Sequence, residues 1–133
     1  MMLQSFERMK FLNGNHRIVK RITYQIFKTA KRKCDAVGDY KMYVDAYDKN
    51  KPLTYHFETC PVAEFAREHG FTDILPALCN VDYPSMEMLH MKLIRKQTLG
   101  LADCCDYMIV GDKDSLVKEH PQYSDENGYI RNK

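Results

Sequence analysis

Cys60 stands where the sequence best suits an activated nucleophile. Pro61 follows it, and proline favours the first helical position, which puts Cys60 at the N-cap. Unpaired N–H groups and the positive end of the helix dipole favour a thiolate at such a place. His56 and Glu58 lie upstream with matching strand parity, and a thiol at a helix N-terminus beside an imidazole is an arrangement that generates a nucleophile. The same pattern also suits a small buried residue closing a strand. Cys79 is followed three residues later by Asp82, just ahead of Pro84. A carboxylate there caps a helix, orients a base or binds a substrate ammonium or amidine. Cys104 and Cys105 are adjacent, so on a strand only one can face a given pocket. Cys105 shares its face with Tyr107 and Ile109. Asp106 shares its face with Met108 and Val110, where a buried carboxylate needs a partner, and Arg95 is the expected one. Arg95, Gln97 and Thr98 also offer donors for a carboxylate ligand.

Metal and cofactor chemistry have little support. Cys60, Cys79, Cys105 and one of His56, His69 or His90 suffice in number for zinc, but the chain has no Cys-x-x-Cys and no His-x-x-x-His. Glycine-rich phosphate loops, the Gly-x-Ser-x-Gly elbow and Walker patterns are absent as well. The expectation is no metal and no cofactor.

Several elements must position these residues. Residues 3–12 suit a short helix ended by Asn13-Gly14-Asn15. Residues 16–33 suit a longer one, with Ile18, Ile22, Ile26 and Ala30 at helical spacing as its buried stripe and most lysines and arginines outside. Runs 40–47 and 53–59 alternate around the polar turn Asp48-Lys49-Asn50-Lys51-Pro52, which predicts an antiparallel hairpin. Pro61 opens a helix that Gly70 stops. Pro84 is expected to open another, running to about Gln97 with Met86, Leu89, His90 and Leu93 on one side. Residues 105–110 read as a strand of the same sheet, and the polar stretch from Lys118 reads as a loose end. The fold class is α+β: a small antiparallel sheet of three or more strands covered by helices.

Length and composition agree with one soluble domain. The chain has 133 residues, 44% hydrophobic and 29% charged, enough for a core without staples. The organisation expected is a helical part over 1–38, an α+β core over 39–112 and a polar tail over 113–133. Nothing approaches the apolar length of a membrane span. Glu7, Arg8 and Lys10 interrupt any signal-like apolar run, which points to an intracellular, cytoplasmic protein with reduced thiols. The net charge of +2 hides an asymmetry: +8 over residues 1–33 and −6 over the rest. Cations crowding the last turns of the 16–33 helix complement its dipole, and no nucleic-acid motif accompanies them. The partner expected is a small molecule rather than nucleic acid or membrane.

Four ordered anchors resemble a known family. They are Cys60-Pro61 opening a helix, Cys79-x-x-Asp82, Arg95-x-x-Thr98-Leu99 and Cys105-Asp106-Tyr107. Over about residues 54–110 the chain resembles the L-2-amino-thiazoline-4-carboxylic acid hydrolase family. The resemblance implies hydrolytic opening of a cyclic amidine-like ring, on the route from the thiazoline to cysteine. It marks Cys60, Cys79, Asp82, Arg95, Thr98, Cys105 and Asp106 as the positions to test. In that picture Cys60 or Cys105 attacks the amidine carbon or activates water, Asp82 or Asp106 holds the ring's amino group, and Arg95 takes the carboxylate. The alternative is a ligand- or metal-sensing domain that keeps the thiol pocket without turnover.

Overall fold

The computed structural model describes residues 15–38, 40–99, 102 and 104–133. The short helix expected over 3–12 lies outside them. Helix α1 spans Arg17–Val37, with the His16 imidazole accepting from the Ile18 N–H at its start. Gly38, at φ 84°, closes it in the left-handed conformation that glycine adopts without steric cost.

The buried stripe of α1 departs from the one expected at its three isoleucines, and of the expected set only Ala30 packs inward. Ile18, Ile22 and Ile26 are 62, 56 and 59% exposed, while Thr23 is buried. Tyr24, Phe27, Ala30 and Cys34 pack on the core instead. The helix carries two apolar stripes, and the aromatic one wins. Phe27 meets Tyr55 at a ring distance of 4.4 Å and Tyr24 meets Tyr47 at 5.4 Å, and aromatic side chains bury more area and add ring contacts. Lys20 is also drawn in, its Nζ donating to the carbonyls of Asp48, Lys49 and Lys51. That burial pushes the Lys20 ammonium below its usual range, against the pull of Asp48 and Asp114.

Strands β1 (Lys41–Val44) and β2 (Leu53–Thr59) form the expected antiparallel hairpin. Met42, Leu53 and Tyr55 point to the core while Tyr43 stays exposed, as alternation requires. Helix α2 (Pro61–His69) begins at the N-cap Cys60 and ends at Gly70, as expected. Helices α3 (Leu75–Asn80) and α4 (Asp82–Glu87) are short.

The helix expected to run from Pro84 to about Gln97 stops at Glu87. His90, at φ 56°, turns the chain, and Met91–Ile94 is strand β3. It pairs with β4 (Cys105–Gly111), setting Leu93 opposite Ile109 and Ile94 opposite Met108. Leu93 and Ile94 are both buried although they point to opposite faces. No polar alternation therefore marks the strand, and a buried strand cannot be told from a helix by periodicity. The sheet is antiparallel with the order β1-β2-β4-β3, so β2 and β4 lie at its centre.

The stretch from Lys118 is not a loose end. Helix α5 (Ser115–Glu119), capped by Asp114, precedes a hairpin of β5 (Gln122–Ser124) and β6 (Ile130–Asn132). Tyr129 and Asn132 are 4 and 5% exposed, which polar composition alone does not reveal. No helix of the described residues is long and apolar enough to cross a membrane.

Candidate active site

A cavity of about 600 Å³ lies over the core face of the central strands. Tyr55 and Phe57 of β2 and Cys105 and Tyr107 of β4 form its floor, because residues two apart on a strand share a face. The floor is rigid. Tyr55 and Tyr107 are directly opposed in register and stack with centroids 4.6 Å apart and planes 5° apart. Cys60 and Val62 at the start of α2, Cys79 and Leu78 in α3, and Cys34 and Tyr40 at the end of α1 close the walls. Cys60, Cys79 and Cys105 thus share one cavity. Cys34, Tyr55 and Phe57 also line it. Strand parity puts Tyr55 and Phe57 on one face of β2, but only the β2–β4 register sets them beside Tyr107 and Cys105, and Cys34 carried no signal beyond its type.

Asp82 is the acid at this cavity. It does not cap a helix: Val81 precedes α4, and no side chain caps that helix. Its Oδ2 instead accepts from the Tyr107 hydroxyl at 3.0 Å and from Arg95 Nη1 at 3.2 Å. Both bonds fall on Oδ2, leaving Oδ1 for a ligand.

Arg95 does not lie in the helix expected to run to Gln97. It follows β3, is 1% exposed, and does not line the cavity. Nη2 donates to the Cys79 carbonyl at 3.0 Å, and the guanidinium lies over the rings of Tyr83 and Tyr107 at 5.2 and 5.6 Å. Burial works against its charge, but Tyr107, Tyr83 and Asp82 outweigh that and raise its pKa. Its charge is held inside the protein, against Asp82, the Cys79 carbonyl and the two rings. It is not the partner of Asp106.

Asp106 and His56 sit elsewhere. Asp106 accepts from the backbone N–H groups of Lys96 and Gln97, at 3.1 and 2.6 Å, and so fastens the loop after β3. His56 is its register partner on β2, stacked on Tyr43 at 5.0 Å. Both lie on the sheet face opposite the thiol cavity, with Asp45, Thr54 and Met108. The parity linking His56 to Cys60 fails because the chain leaves the strand after Thr59 and turns into α2 at Cys60.

Thr98 is fully buried and sits behind the thiols. The Cys105 thiol donates to its Oγ1 at 3.6 Å, and the Leu99 N–H donates to Cys105 Sγ at 2.9 Å. Burial pushes the Cys105 thiol above its ordinary value, against the Leu99 and Thr98 bonds and the Arg95 charge. Burial pushes Cys79 up too, against Thr98 and Arg95. Both therefore hold their protons more tightly than an ordinary thiol. Among the described residues no three His, Cys, Asp or Glu converge as a metal-ligand set.

The arrangement gathers a carboxylate, an aromatic floor and four thiols, Cys34 among them, around one cavity. No curated protein and no solved structure matches the chain. A family model for L-2-amino-thiazoline-4-carboxylic acid hydrolase matches residues 4–109, extending the resemblance of the four anchors through α1 toward the N-terminus. With that match spanning most of its 133 residues, the chain belongs to the L-2-amino-thiazoline-4-carboxylic acid hydrolase family.

Proposed function

We propose that the chain binds a small cyclic amidine of the 2-amino-thiazoline-4-carboxylate type in the thiol cavity and hydrolyses its ring carbon–nitrogen bond. The observation that carries this reading is Asp82. Its half-exposed carboxylate is aimed by Tyr107 and Arg95 and borders a cavity otherwise lined by thiols, aromatic rings and apolar groups. A planar amidinium matches it by pairing with the free carboxylate oxygen and lying on the aromatic floor.

Cys60 is the favoured nucleophile. It borders the cavity at the N-terminus of α2, whereas Cys105 is buried and held by Leu99 and Thr98. Its thiolate adds to the carbon between ring nitrogen and sulfur. A proton passes to the ring nitrogen as the carbon–nitrogen bond breaks, with Cys79 or Cys105 as the donor. Water then adds to the same carbon and displaces the Cys60 sulfur, one of its protons returning to the donor thiolate and the other to Cys60, so that both thiols are restored. The first N–H groups of α2, unpaired within the helix, receive the substrate carboxylate in place of Arg95.

Binding without turnover is the second reading, and the elevated pKa values of Cys79 and Cys105 favour it. Incubating the protein with 2-amino-thiazoline-4-carboxylate and following ring opening by proton NMR tests both. Product formation that Cys60→Ser abolishes supports hydrolysis. Saturable binding without product supports the second reading, and neither binding nor product overturns both.

A further inference from the structure

The hairpin β5–β6 lies beyond the segment that matches the family, yet it grips the site at two points. At its turn, the Asn80 side chain accepts from the Ile130 N–H at 2.8 Å and donates to the Gly128 carbonyl at 2.9 Å. Asn80 is the neighbour of Cys79 in α3. At the other end, Asn132 Oδ1 accepts from the Arg95 N–H at 2.9 Å and from the Tyr83 hydroxyl at 2.8 Å. The Asn132 N–H donates to the Arg95 carbonyl at 2.8 Å, and its side-chain amide donates to the His120 carbonyl at 2.8 Å. Asn132 is 5% exposed, so none of these bonds has water as a ready substitute.

We infer that Asn132 is a positioning residue: it fixes both backbone polar groups of Arg95 and the ring on which the Arg95 guanidinium rests, and through them the direction in which Asp82 is held. The geometry is specific. Arg95 leaves β3 and must aim its guanidinium back at Asp82 and the Cys79 carbonyl. A residue following a strand has no ladder partner of its own, and Asn132 supplies both the donor and the acceptor a ladder would. The Tyr83 hydroxyl, drawn to the same Asn132 oxygen, sets the ring under the guanidinium. Residues 113–133 therefore complete the site rather than trail from it.

The functional part of this inference rests on the amidine reading of the cavity; the positional part does not. The test is therefore hydrogen exchange of the Arg95 guanidinium protons by nitrogen-15 NMR, run beside the thiazoline assay. In Asn132→Ala these protons should exchange about tenfold faster, the scale of one lost buried hydrogen bond, while the amides of Met42 and Tyr55 keep their protection. Where the thiazoline is turned over, kcat/KM should fall by a similar factor with the sheet intact. Unchanged Arg95 exchange overturns the inference. So does uniform acceleration at Arg95, Met42 and Tyr55, which marks a role in stability alone. If Asn132→Ala does not fold, Asn132→Ser decides: its shorter side chain withdraws the acceptor from the Arg95 N–H and the Tyr83 hydroxyl while leaving both residues intact, so faster Arg95 exchange supports the inference and unchanged exchange overturns it. A wild-type protein inert toward the thiazoline removes the amidine reading and leaves the exchange result standing.

Discussion

Asp82 and Arg95 form an ion pair whose two halves see different surroundings: the Arg95 side chain is 1% exposed and that of Asp82 is 42% exposed. Removing either partner therefore has unequal consequences. Asp82→Asn strands a sealed cation, whereas Arg95→Met leaves a carboxylate that water can reach. The first should cost about 3 kcal/mol and the second about 1–2 kcal/mol. Urea unfolding of the two variants measures this. Equal losses, or a larger loss for Arg95→Met, would contradict the asymmetry.

Alkali should destabilise the protein. Burial raises the pKa values of Tyr55 and Tyr107, pushes Tyr83 up to about 12, and raises Cys79 and Cys105. In each case the native state keeps a proton that the unfolded state gives up, so this stability is complete below the unfolded values, 9.0 for the thiols and 10.0 for the phenols, and falls as pH climbs toward the folded ones. The urea midpoint should drop between pH 8.5 and 11, on the order of the ordinary thiol and phenol range. A midpoint that stays flat over that interval would refute this account.

The thiols should differ in reactivity. Cys60 is half-buried at a helix N-terminus, while Cys79 and Cys105 are kept neutral by burial. Iodoacetamide at neutral pH should modify Cys60 before either of the other two, and a bound thiazoline should slow that reaction. Peptide mapping over time reads the order. Prior labelling of Cys105 would move the nucleophile to β4.

The two apolar stripes of α1 should be unequal in energy. Ile18→Ser, Ile22→Ser and Ile26→Ser should each change stability by no more than about 0.5 kcal/mol, and Phe27→Ala should cost about 3 kcal/mol. Thermal melts of the four variants decide it. A large loss at Ile22 would mean that the isoleucine face is covered in solution.

Much of the fold was legible because local chemistry and tertiary structure agree. Alternation around a polar turn marks β1 and β2, and Cys60-Pro61 with Gly70 brackets α2. The thiols at element ends converge for the same reason. What was not legible depended on partners distant in sequence. β3 has apolar residues on both faces, so only its pairing with β4 distinguishes it from a helix. The outward turn of Ile18, Ile22 and Ile26 depends on where Tyr47 and Tyr55 offer rings. By sequence Arg95 suits Asp106 or a ligand carboxylate, because nothing local shows that Asp82, Tyr83 and Asn132 enclose it.

The central pairing of β2 with β4 brings Tyr55 beside Tyr107 across about two-fifths of the chain. Closing a loop of that length is slow relative to forming α1 or the β1–β2 hairpin. A partly folded chain holding those local elements would have Cys60 but no floor beneath it. Ligand binding during refolding should therefore return in one step with the burial of the Tyr55–Tyr107 stack, never ahead of it. The cavity is in this sense a kinetic reporter of the sheet's completion, and a partially folded chain would expose its thiols without any capacity to recognise a ligand.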